Sequence, residues 1–185
     1  MEADWEFEIG PNAPVIDAQW EGFEDLRAYP ERACGLQEAA AFPALAKALI
    51  QLNSAGSSVW TSKCDVWPID PEEHRLDPDE LGAPSCTLAA AHVSYIDLLC
   101  RPAHLWSDPD TLARHCAVLC TRLRSIPLRS CRADLVIRKA VLSDIEALGI
   151  TAYLTACGPT VQESETALAE ALHAFSDSAS AFCSS

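Results

Sequence analysis

The chain has 185 residues, 49% of them hydrophobic, and a formal net charge of −14. That apolar fraction excludes global disorder and suits one domain burying roughly 70% of its unfolded surface. The charge argues against nucleic acid, no apolar run approaches the ~20 residues of a membrane helix, and MEADWEFEIG lacks a signal peptide's layout, so the expectation is a cytoplasmic protein with neither nucleic acid nor membrane as partner.

Residues 1–34 read as an acidic, aromatic-rich arm. Trp5, Phe7 and Ile9 alternate with Glu6 and Glu8 as in a short strand, and Trp20, Phe23 and Tyr29 are expected to lie back on the domain or on a second subunit. Residues 35–185 read as a single α+β domain. Leu45, Leu49 and Leu52 set a helix over 36–52, kinked or restarted at Pro43 and ended near Gly56. Strands follow at 58–67 and 92–100, separated by a long acidic insertion, 68–90. Leu112, Cys116, Leu119, Leu123 and Ile126 mark one stripe of the next helix. Strands at 134–142 and 150–157 precede a last helix from Thr160 to Phe182, with Thr160 and Glu163 spaced as a capping box.

The order α-β-β-α-β-β-α predicts a four-stranded, mainly antiparallel sheet with helices on one face. Over residues 35–182 this order resembles the ferredoxin-like sandwich or a permuted relative, a resemblance that implies a fold and no function.

Local chemistry accounts for most of the polar clusters. Asp70-Pro71-Glu72 and Asp77-Pro78-Asp79 each set an N-cap acid before a proline, as Asp108-Pro109-Asp110 does. Calcium-loop spacing fails, with Leu81 and Leu88 at ligand positions. Nine cysteines without a CxxC pair favour packed thiols over disulfides or zinc, so Cys116 and Cys120 read as core and no metal or cofactor is expected. Eight of the thirteen basic residues fall between Arg101 and Lys139, without a glycine-rich phosphate loop.

The strands carry the remaining signal. In WTSKCDVW, period two puts Trp60, Ser62, Cys64 and Val66 toward the helices and Thr61, Lys63, Asp65 and Trp67 outward. The same rule sends Tyr95, Asp97, Arg138, Tyr153 and Thr155 outward, with His92 inward. Asp97 and Arg138 lie on central parts of the sheet, where no cap explains them. The wet face Lys63, Asp65, Trp67, Tyr95, Asp97, Arg138 and Tyr153 is therefore the candidate ligand- or partner-binding site, read as a solvated surface, a dimer interface or a ligand groove. The expected function is binding or assembly through this face in a homodimer. The alternative is a small-molecule enzyme under the 68–90 loop, with acid–base groups or Cys157, a thiol at a strand end before a helix N-terminus, as its catalytic group.

Overall fold

The computed structural model describes residues 1–8, 10, 14–17, 23–83, 88–142 and 145–182. Ile9, Trp20 and most of the PNAP turn lie outside them. In chain order the elements are β1 (Glu2–Glu8), β2 (Val15–Asp17), a 3₁₀ turn (Pro30–Gly35), α1 (Gln37–Ala41), α2 (Pro43–Asn53), β3 (Val59–Ile69) and β4 (Ala90–Cys100). A second 3₁₀ turn (Ala103–Trp106), α3 (Pro109–Arg124), β5 (Cys131–Leu142), β6 (Ile145–Gly158) and α4 (Val161–Ala179) complete them.

Helix boundaries follow local chemistry. Pro43, which has no amide hydrogen to donate, begins α2 and separates it from α1. Asp108 accepts from the Thr111 amide at 3.0 Å and Thr160 from the Glu163 amide at 3.2 Å, each satisfying an orphan donor of the first turn. The insertion differs from expectation. Asp70 and Asp77 do accept from nearby amides, but what they cap are turns, not helices.

The sheet has six strands, not four. Its order is β1-β5-β6-β4-β3, with β2 also paired to β5. The β3–β4, β4–β6 and β5–β6 pairs are antiparallel, whereas β1 and β2 both run parallel to β5. Four strands were expected because only those four carry long apolar alternation of their own. β1 and β2 join through pairing with a segment more than a hundred residues away, which local pattern does not encode. The 2–8 stretch of the expected arm thus forms one edge of the sheet.

Helices cover one face. There Leu45, Leu49 and Leu52 of α2, Leu112 and Leu123 of α3 and Leu168, Leu172 and Phe175 of α4 bury against Ile96, Leu135, Ile137, Ile150 and Leu154. At 25 cal/mol per Å², each such side chain contributes about 1.5–3 kcal/mol of burial. Among the described residues no helix is long and apolar enough to cross a membrane.

Candidate functional site

The other face of the sheet carries the polar chemistry. Register places Tyr95 opposite both Asp65 and Tyr153, Asp97 opposite Thr151, and Tyr153 opposite Asp134. On β1 the outward positions are Glu2, Asp4, Glu6 and Glu8, with Glu8 opposite Arg138. Lys63, Asp65, Trp67, Tyr95, Asp97, Arg138 and Tyr153 therefore share one face.

The alternation in β3 is broken once. Thr61 pairs with Leu98, but the next pair is Cys64 with Ile96, so β3 holds one extra residue at Ser62–Lys63. The bulge reverses the expected facing of the preceding residues. Thr61, expected outward, exchanges hydrogen bonds with the Asn53 side chain of α2 at 2.7 and 3.1 Å. Trp60, expected against the helices, packs on the opposite face with Leu99. Ser62, also expected inward, donates to the Ile16 carbonyl of β2. Four consecutive residues of mixed polarity, Ser62 to Asp65, were the available signal of an irregular strand.

Two structures wall this face. At one end Leu81, with Leu76 and Ala83, packs onto Ala91 and Cys157, and Glu80 reaches Arg132 at 3.8 Å. At the other end Val15 of β2 is fully buried over Trp60, Leu99, Ala140 and Ala147. Five residues of β6, Thr151 to Thr155, lie between the walls, roughly 16 Å of strand. The result is a trough crossing the sheet. Beside it, at the β3 bulge, Phe23, Leu26, Leu36, Ser62, Lys63 and Tyr95 line a cavity of about 230 Å³.

An aromatic ladder runs diagonally along the floor. Trp67 and Tyr95 meet edge to face at 6.1 Å, Tyr95 and Tyr153 lie 6.3 Å apart, and the Arg138 guanidinium sits 5.7 Å from the Tyr153 ring centre. Arg138 also pairs with Glu8, while its Nε is buried without a partner among the described residues. Asp97 keeps only 6% of its surface exposed and accepts from the Thr151 hydroxyl at 2.6 Å. Burial pushes the Asp97 carboxyl above the ordinary carboxylate range; the Thr151 bond and the charges of Lys63 and Arg138 oppose this without cancelling it. Burial, then the Asp97 and Asp65 charges, push Tyr95 up to about 12, so its hydroxyl stays protonated. Asp134 is likewise raised by burial, against its 2.7 Å bond from Arg132.

These shifts give a signed prediction for Asp97. Because its folded carboxyl holds a proton more tightly than an unfolded one, the native state loses stability as pH rises from the ordinary carboxyl range through the raised one. Asp97→Asn keeps an acceptor for Thr151 and removes the buried charge. We expect it to stabilise the protein by on the order of 1 kcal/mol at neutral pH and by nothing in acid. Urea denaturation at several pH values checks this. A less stable variant at neutral pH would mean that attraction to Lys63 and Arg138 outweighs burial.

Cys157 does not join the group. It faces the same side but is 2% exposed beneath the insertion, donates to the Ser130 carbonyl at 3.6 Å, and is pushed up by burial, the direction opposite to an activated thiol. His92 lies on the helix face, its Nδ1 2.8 Å from the Ser164 hydroxyl, and is no base for it. Two residues were missed by the sequence reading, Gly149 and Val15. A glycine inside a strand marks a close backbone approach, and Val15 fills the space a side chain at 149 would take. Compared with known proteins, the chain matches no family model, no curated protein and no solved structure.

Proposed function

We propose that the protein is a binding domain whose outer sheet face takes a small molecule in the trough between the acidic insertion and β2. One observation carries this reading: the ladder of Trp67, Tyr95 and Tyr153 leads to Arg138 beside the buried Asp97, on a face walled at both ends. Both tyrosine hydroxyls lack a protein partner among the described residues, and strand pairing holds the group rigid, which favours specificity at small ordering cost. The same walls obstruct flat sheet-on-sheet contact, so homodimer assembly through this face has less support. The order β5-β6-β4-β3 is the one a permuted ferredoxin-like sandwich would have, and we retain that resemblance as part of the proposal. A second reading, acid–base chemistry on the bound molecule, draws on the raised Asp97 carboxyl beside Tyr95.

Native mass spectrometry of the purified protein, with sedimentation on the same sample, tests the proposal. The expected result is a monomer carrying a small-molecule adduct that is lost in Tyr95→Ala/Tyr153→Ala. A dimer without adduct that dissociates on the same substitutions would replace ligand binding by assembly. A monomer without adduct would leave the face solvated and end the proposal.

A further inference from the structure

We infer that the trough selects a positively charged organic ligand, with an ammonium group seated over Asp65 in the corner formed by the rings of Trp67 and Tyr95. The inference rests on the binding reading above and names its ligand class.

The geometry of β3 and β4 makes the seat. Asp65 and Trp67 are two residues apart on one strand, so both project from the outer face, and Tyr95 stands directly opposite Asp65. Such a cross-strand pair brings side chains about 5 Å apart at the Cβ atoms. The two rings meet at 64°, so their faces form two walls of a corner, and Asp65, opposite Tyr95 and two residues from Trp67, stands beside it. Ring faces carry negative potential and attract ammonium groups, best for tryptophan. Asp65 is exposed; its Oδ1 accepts from the Val66 amide at 2.7 Å, which leaves Oδ2 without a protein partner among the described residues. The Tyr95 hydroxyl, neutral and without a protein partner among the described residues, offers a further acceptor.

Charge complementarity points the same way. All four outward positions of β1 are acidic, and Asp65, Asp97 and Asp134 add to them, against Lys63, Arg132 and Arg138. Two of these three cations are committed: Arg132 to Asp134 and Glu80, and Arg138 to Glu8 while lying on Tyr153. The third, Lys63, acts on Asp97 through its charge. An anion entering the trough would meet Asp97 beside the guanidinium it sought. A net charge of −14 raises the local concentration of cations around the whole molecule. The occupant is a small ammonium rather than a lysine on an extended chain, because the insertion and β2 obstruct a chain running along the strands.

Titration with three probes, choline, its neutral isostere 3,3-dimethylbutan-1-ol, and benzoate, followed by the tryptophan indole resonances, tests this. Choline should bind about tenfold more tightly than the neutral alcohol, a ratio on the scale of a partly desolvated cation–π contact. Asp65→Asn and Trp67→Leu should each weaken choline by a similar factor, and the exposed position of Asp65 makes its variant a folded control. Equal binding of choline and the alcohol would overturn the charge preference while leaving the trough as a binding site. Benzoate binding that depends on Arg138 would do the same and reverse the ligand's sign. A lysine peptide that binds where choline does not would overturn the small-molecule assignment. Failure of choline to bind would overturn the inference, with the binding reading still decided separately by the mass measurement.

Discussion

Arg138→Ala should destabilise the protein by about 2–3 kcal/mol at neutral pH and by less in acid. The figure sits below the ~3–5 kcal/mol of a broken, fully buried ion pair because Glu8, the direct partner, is half exposed. Three effects add. Asp97 loses one of the two cations that offset its burial, Tyr153 loses the guanidinium over its ring, and a side chain only 13% exposed leaves a void. One effect opposes them, since the Nε, which has no partner among the described residues, disappears with the side chain. Without Arg138 the Asp97 carboxyl rises further, so the added penalty is present in full above that raised range. It fades as pH falls toward the ordinary carboxyl value. Arg138→Met keeps most of the aliphatic packing and isolates the charge. Urea denaturation of the single variants and of Arg138→Ala/Asp97→Asn, each across pH, provides the measurement. The double variant should recover the pH-dependent part of the loss. If Asp97→Asn gains no more stability in the Arg138→Ala background than in the parent protein at neutral pH, the two groups are not coupled.

What was legible in the sequence is what short range encodes. Pro43, Asp108 and Thr160 set helix starts by missing or capped amides within three residues, and the structure keeps each of them. The alternation of β4 and β6 is unbroken, so Tyr95, Asp97, Tyr153 and Thr155 face as period two requires. β3 is different. A single extra residue at Ser62–Lys63 inverts everything before it, and Trp60 and Thr61 exchange faces. The pairing of β1 with β5 had no local signature, because a parallel partner more than a hundred residues away leaves no turn between the strands. The insertion was half legible. Its acids explained themselves as caps, but Leu76 and Leu81 did not, and those apolar side chains are what seal it onto Cys157.

Gly149→Ala should cost about 2–3 kcal/mol, an effect out of proportion to one methyl group on a strand, where alanine ordinarily improves on glycine. The reason is the path of β2. An added Cβ at 149 would lie 2.9 Å from the Val15 Cβ and 3.2 Å from the Leu98 carbonyl oxygen. The first contact is closer than atoms of this kind approach, and the second is with backbone that pairing of β4 and β6 holds in place. Val15 is fully buried and has little room to move, so the strain falls on the pairing of Val15–Asp17 with Ala140–Leu142. That pairing is three residues long, the shortest in the sheet among the described residues. The expected consequence is local release of β2, seen as faster hydrogen exchange at 15–17 and 140–142 before global unfolding. Release would also open one wall of the trough, so binding should weaken even where the fold survives. Val15→Gly removes the obstructing atom, and Gly149→Ala/Val15→Gly should regain part of the loss caused by Gly149→Ala when compared with Val15→Gly alone. Additive losses in the double variant would mean that the two positions do not touch in solution, and that β2 does not cross the sheet at Gly149.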